Sequence, residues 1–212
     1  MGTISKGILG GFSGTVGTVV GGNWKGIDYI RSQSAKRTSN PTQAQLEQQA
    51  KFSIAIRFIT SLSGLLAVSF RKFAVRMTAA NSAFAYLLKN AISGVYPGYA
   101  IDYSRVLVSR GDLPNADNPT ATATAGSTIH YAWTDNSGMG KAKPGDKSIL
   151  VVYCPAMNQV RYITEGDTRD QQGGDFAVAM FHGKQVQTWV GFISADGKEI
   201  ATSVFTGQLT VT

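Results

Sequence analysis

The chain reads as an α+β protein, with a glycine-rich β-hairpin at the front, two to three helices in the middle and an antiparallel β-sandwich at the back. Three observations predict this. Apolar residues alternate with glycine between Phe12 and Arg31. Leu46, Ala50, Ile54, Phe58 and Leu62 recur at every fourth position, which is the apolar stripe of a helix. From Tyr103 onward the apolar period changes to two, with turn residues between the runs. The parts divide at 1–38, 39–97 and 98–212.

In the first part, Val16, Thr18 and Val20 alternate on one arm of the hairpin, and Gly21-Gly22-Asn23 supplies turn residues that tolerate positive φ. Trp24 opens the return arm, with Ile27, Tyr29 and Arg31 alternating after Gly26. Glycine inside a strand weakens it, and so repeated glycine marks close approach of another backbone or a ligand. Two readings follow. In the favoured one the hairpin lies flat on a neighbouring subunit; in the other the glycines are bulges and bends of a self-contained sheet. An isolated hairpin is marginal in water, so this one must pack on something.

A polar connector holding Lys36 and Arg37 leads to Asn40-Pro41-Thr42-Gln43, which has the form of a helix start: Asn at the N-cap, Pro at the first helical position, and Gln three residues after the cap. Ser61-Leu62-Ser63-Gly64 interrupts this helix. A second piece is expected over Leu65 to Arg76, and a third from near Thr78 or Asn81 to a stop at Gly94.

Seven strands are expected after that: Tyr103–Ser109, Thr128–Thr134, Ser148–Tyr153, Gln159–Thr164, Phe176–Met180, Gln185–Ser194 and Ser203–Val211. Asp135-Asn136-Ser137-Gly138, Pro144-Gly145-Asp146 and Asp196-Gly197-Lys198 provide turns between them. Seven short strands at this spacing predict an immunoglobulin-like sandwich, with Trp133 and Trp189 as core aromatics. The single cysteine, Cys154, excludes an internal disulfide framework and sits in an apolar run as a small buried hydrophobe.

The opening Gly14-Thr15-Val16-Gly17-Thr18-Val19-Val20, the arm ending Tyr29-Ile30-Arg31, and Asn40-Pro41-Thr42-Gln43-Ala44-Gln45 resemble the openings of small phage- and prophage-associated proteins. Over nearly its whole length the chain resembles an uncharacterised bacterial family of about this size, a domain of unknown function. The residues that carry this are Lys6 to Gly14, Leu88-Lys89-Asn90-Ala91-Ile92-Ser93-Gly94, Asp102-Tyr103-Ser104-Arg105-Val106 and Ser109-Arg110-Gly111-Asp112-Leu113. The first resemblance implies a particle or phage setting; the second implies no activity.

Charge is divided unevenly. Residues 1–90 carry 11 Lys/Arg against 2 acids, a net +9, whereas residues 91–212 carry 9 against 11, a net −2. The charged fraction is 16%, low against the usual ~25%, so the surface is rich in small polar residues and suits a subunit packed against neighbours. The basic residues of the front part are diffuse, with no run of five or six. Lys25, Arg31, Lys36, Arg37, Lys51 and Arg57 are the nucleic-acid candidates, with Trp24 and Tyr29 available to stack.

Catalytic and metal chemistry find little support. His130 and His182 stand apart in different strands, and Asp117, Asp135, Asp146, Asp167, Asp170 and Asp196 are explained by local hydrogen bonding in turns. Glu165 to Asp170 is the densest acidic stretch but lacks the spacing of a calcium loop. The glycine-rich runs lack the Gly-Lys-Ser/Thr ending of a phosphate-binding loop. No cofactor, metal, catalytic residue or small-molecule substrate is expected. Seven of the eighteen residues from Gly7 to Trp24 are glycine, too many for a signal or membrane helix.

The expectation is therefore a non-enzymatic structural subunit that self-associates, a component of a phage or phage-derived particle. It would be cytoplasmic before assembly and then reside in the virion or particle. Phe12, Val16, Val20, Trp24, Ile27 and Tyr29 are its assembly candidates. The alternatives are a nucleic-acid-binding protein using the basic front end, and a surface- or carbohydrate-binding module carried by the sandwich.

Overall fold

A computed structural model describes residues 2–4, 11–24, 26–35 and 40–212, and it divides the chain into two compact units, 1–42 and 43–212. The first unit is a single antiparallel sheet of β1 (Thr3–Ile4), β2 (Phe12–Val16), β3 (Val19–Trp24) and β4 (Ile27–Ser32), in that spatial order. The turns are not where the glycine pair suggested. β2 passes to β3 through Gly17-Thr18, with Gly17 at φ +59°, the conformation a two-residue hairpin turn demands at its first central position. The second connection ends in Gly26, whose N–H donates to Asn23 Oδ1 at 3.1 Å, while Asn23 Nδ2 donates to Asp28 Oδ1 at 2.7 Å. The expected hairpin is thus a meander, and Gly21-Gly22-Asn23 lies inside its central strand.

The second unit is built in three layers. The sandwich pairs a three-stranded sheet, ordered β11-β8-β7, with a four-stranded sheet, ordered β10-β9-β12-β13. Its strands are β7 (Asp117–Thr124), β8 (Thr128–Thr134), β9 (Lys147–Cys154), β10 (Gln159–Ile163), β11 (Gly173–Ala177), β12 (Gln185–Ile193) and β13 (Val204–Thr210), preceded by the short pair β5 (Ile92–Ser93) and β6 (Ala100–Ile101). Every pairing is antiparallel, and the chain changes sheet after β8, β10 and β11, the crossed connectivity of an immunoglobulin-like sandwich.

Three helices form the outer layer: α1 (Gln43–Ser61), α2 (Ser63–Ser69) and α3 (Ala79–Asn90). α1 and α2 meet at an angle of 77° across Leu62, where Ser61 turns its hydroxyl back to the Phe58 carbonyl at 2.7 Å. Thr78 caps α3 by accepting the Asn81 N–H at 3.1 Å. Among the described residues, no single helix is long and apolar enough to cross a membrane.

The apolar run of β9 is explained by burial on both faces. Leu150, Val152 and Cys154 point into the sandwich with Ile129, Tyr131, Phe181, Val190 and Phe192. Ile149, Val151 and Tyr153 point the other way, into a second core with Phe58, Leu62, Leu66, Leu87 and Trp189. The helical segment 39–97 therefore shares a core with the sheet it covers. Trp133 is a core aromatic of the sandwich and stacks edge-on against Phe192 at 5.2 Å, whereas Trp189 belongs to the helix-facing core beside Tyr103 and Phe205.

The strand expectations are corrected at three places, the first being β11, which ends at Ala177 and gives way to a tight turn over Ala179–Phe181 where a strand from Phe176 to Met180 was expected. Tyr103–Ser109 is not a strand: Asp102 accepts the Ser104 N–H and starts a tight turn over Tyr103–Arg105. The segment beyond it is held by Ser203, whose hydroxyl accepts the Val108 N–H at 2.9 Å. The seventh strand is instead β7, an Ala/Thr alternation interrupted by Pro119 and a bulge.

Candidate assembly surface

The register of the N-terminal sheet assigns each side chain to a face. Val16 pairs with Val19, and Gly14 pairs with Gly21, which pairs in turn with Ile30. Phe12, Gly14, Val16, Val19, Gly21 and Ile30 therefore share one face. Thr15 pairs with Val20 and Val20 with Arg31, Gly22 with Tyr29, and Trp24 with Ile27, which puts Val20, Trp24, Ile27, Tyr29 and Arg31 on the other. The expected alternation of Val16, Thr18 and Val20 on one face is corrected by this register: Thr18 is in the turn, and Val16 and Val20 face opposite ways.

The internal glycines make room for aromatic rings of the same sheet. A Cβ at Gly21 would clash first with the Phe12 carbonyl oxygen and would stand 2.7 Å from the Phe12 ring, and one at Gly22 would stand 2.8 Å from the Tyr29 hydroxyl and 2.9 Å from its ring. The rings cross the sheet on opposite faces, each over a neighbouring strand's glycine. The close approach inferred from the glycine spacing is thus made within the chain. At Gly21 the neighbouring backbone is that of Phe12 in the same sheet, and at Gly22 the neighbour is the Tyr29 side chain.

Among the described residues the sheet leaves five large apolar side chains open beside its polar ones. Val16 is 54% exposed, Trp24 47%, Ile27 65%, Tyr29 46% and Ile30 68%, while Phe12 and Val20 are half-buried. All six positions of β4 are exposed, and among the described residues β4 pairs only with β3, so it is an edge strand. Ile30, missing from the predicted set, was readable from the same alternation: Ile27, Tyr29 and Arg31 on one face put it on the other.

The predicted basic residues divide between the two units, Lys25, Arg31, Lys36 and Arg37 falling in the first and Lys51 and Arg57 in the second. Lys25, Lys36 and Arg37 lie outside the described residues. Arg31 shares the face of Tyr29 and Trp24. Lys51 packs its ammonium over the Tyr99 ring at 4.8 Å, and Arg57 is an exposed position of α1.

The acidic loop before β11 has a structural role in the core. It supplies Arg169, whose side chain is fully buried. Nη1 donates to Asn136 Oδ1 at 2.6 Å, and Nη2 donates to the Pro114 carbonyl at 2.9 Å and to Asp146 Oδ2 at 3.3 Å. The guanidinium stacks on Phe192 at 4.3 Å. Burial lowers its pKa, and the adjacent Asp146 charge opposes that. Asp146 is accordingly a core partner as well as a turn residue, since its Oδ2 also accepts the Lys143 N–H at 2.8 Å. Asp135 and Asp196 do serve their turns, accepting from Ser137 and from Ser194 and Lys198, which hold both carboxyls below their usual range.

His130 pairs across the β8–β11 register with Asp175, Nδ1 to Oδ1 at 2.7 Å. His182 ends a tight turn over Ala179–Phe181, and its Nδ1 lies 2.9 Å from the Ser127 hydroxyl. Among the described residues no three His, Cys, Asp or Glu side chains are grouped to hold a metal ion.

Among curated proteins there is no match to this chain. A solved structure similar to part of it is the fn3 domain of the human collagen alpha-1(XX) chain, at 12% identity and a TM-score of 0.35, covering 49% of this chain and 91% of that one. Residues 11–207 match the family of unknown function DUF6266, and this chain belongs to that family.

Proposed function

We propose that this chain is a non-enzymatic structural subunit that self-associates through its N-terminal sheet, as a component of a phage or phage-derived particle. One observation carries the reading: a single-layer sheet holds Val16 and Ile30 exposed on one face and Trp24, Ile27 and Tyr29 on the other. Burying what remains exposed of Ile27 or Ile30 is worth about 1–2 kcal/mol each. One face of three such side chains therefore supplies roughly 3–6 kcal/mol before the cost of association is subtracted, a weak contact when taken singly. Weak contacts on two faces suit a subunit that meets a neighbour on each side, where repetition supplies the avidity. The open edge of β4 offers main-chain hydrogen bonds to a further strand. The resemblance of the opening to phage- and prophage-associated proteins supports the particle setting.

Light scattering on the full chain at low and high salt, beside the double variant Ile27→Lys/Ile30→Lys, tests this. The wild type is expected to run as a multimer whose mass survives high salt, because apolar contacts are not screened. The variant, with a charge on each face, is expected to run at the single-chain mass. A variant that assembles like the wild type sinks the sheet as the assembly element. Dissociation by salt alone would point instead to pairing between the basic front and the acidic rear.

A further inference from the structure

Along α3 the second unit carries an open cavity of about 470 Å³ whose lining includes Met77, Ser82, Tyr86, Lys89, Asn90 and Arg110. Its size falls in the range of about 300–1,000 Å³ typical of small-molecule pockets. Arg110 is half-buried, with its guanidinium carbon 4.3 Å from the centre of the Phe73 ring and 5.7 Å from that of Tyr86. Two aromatic rings therefore hold its plane in place. Its side chain makes no hydrogen bond or ion pair with any described residue, so a positioned, partly desolvated fork of N–H donors is left uncommitted. Lys89 adds a second cation to the same wall, likewise without an acidic partner among the described residues. Among the described residues no Asp or Glu lines the cavity.

A guanidinium fork accepts either a carboxylate or a phosphate, but two cations with no acid match a dianion better than a monoanion. Met77 and the Tyr86 ring give the cavity an apolar side, and the Ser82 hydroxyl and Asn90 amide are its neutral polar groups. From these observations we infer that the cavity binds a phosphate monoester carried on a small apolar body, with Arg110 as the fork and Lys89 as the second charge. This site is independent of the assembly surface.

Calorimetry on the full chain with phenyl phosphate, benzoate and inorganic phosphate tests the assignment. Phenyl phosphate is expected to bind saturably and at least about tenfold more tightly than either of the others, each of which lacks one half of the recognised chemistry. Arg110→Lys keeps a charge but loses the planar fork, and Lys89→Ala changes only an exposed side chain; each is expected to weaken phenyl phosphate by about tenfold or more. Unchanged affinity in Lys89→Ala overturns the assignment even if the Arg110 variant proves unstable. Absence of saturable binding by the wild type, or benzoate binding as tightly as phenyl phosphate, also overturns it. Co-sedimentation with phosphatidic acid vesicles, without binding of phenyl phosphate, would move the phosphate to a membrane and refute the small-molecule site.

Discussion

Replacing Asp146 by Asn is expected to be among the most damaging single changes in the second unit. The Arg169–Asp146 pair is out of solvent, at 0% and 1% side-chain exposure. The substitution keeps the shape and leaves a buried guanidinium with neutral acceptors only, the Asn136 amide oxygen and the Pro114 carbonyl. Stranding one charge of a buried pair costs about 3–5 kcal/mol. For a domain of this size each kcal/mol lowers Tm by roughly 2–4 °C, so about 3 kcal/mol corresponds to roughly 6–12 °C. Arg169→Met strands the carboxylate instead and is expected to cost a similar amount. The double variant replaces the pair by a neutral amide and an apolar side chain, and is expected to recover roughly 1–3 kcal/mol relative to the sum of the singles. Urea denaturation of all four chains, followed by the fluorescence of Trp133, which donates to the Arg169 carbonyl at 2.9 Å, measures the cycle. Single variants that each cost less than about 1 kcal/mol, or costs that simply add, would refute the buried-pair account.

Gly21→Ala is expected to destabilise the N-terminal sheet by about 1–3 kcal/mol, because its Cβ would crowd the Phe12 carbonyl oxygen first and the Phe12 ring second. Amide exchange should show residues 12–32 opening while residues 43–212 keep their protection, and loosening of both together would contradict the division into two units. Glu199 is held below its usual pKa of 4.5 chiefly by its hydrogen bond from Lys72, with Lys141 adding to the effect. A carboxyl with a depressed folded-state pKa contributes stability that is present above the unfolded value and lost as pH falls through the folded one. Acid destabilisation from this group is therefore expected below about pH 4.5, and Lys72→Met should shift its NMR titration back toward the ordinary value. An unchanged Glu199 titration in that variant would remove Lys72 as the cause.

Much of the fold was legible where one periodicity met one boundary signal. The four-residue stripe ending at Leu62 and the cap at Thr78 located α1 and α3, and the period-two runs located β8, β9, β10, β12 and β13. β7 was illegible because its inward positions are small: Ala121 is buried, but an alternation of Ala and Thr carries almost no hydrophobic contrast. Gly21-Gly22-Asn23 resembled a turn because glycine excuses positive φ, but here glycine makes room for the Phe12 and Tyr29 rings, and a sequence does not say which. The run from Ile149 to Cys154 announced burial on both faces without naming the helices as the second cover. Arg169 was read as part of an acidic loop because Pro114, Asn136 and Asp146 reach it from three separate segments. The assembly residues were legible as a set, and only their division between two faces needed the register.

The N-terminal sheet is proposed above as the surface that copies of this chain cover when they meet. Amide exchange of the full chain, compared between dilute and concentrated solution, tests it most directly. Concentration-dependent protection confined to β2, β3 and β4 is expected, with the strongest change along the open edge of β4. Protection that appears instead on the sandwich or on α1, with the residues of β2 to β4 exchanging equally at both concentrations, would contradict it.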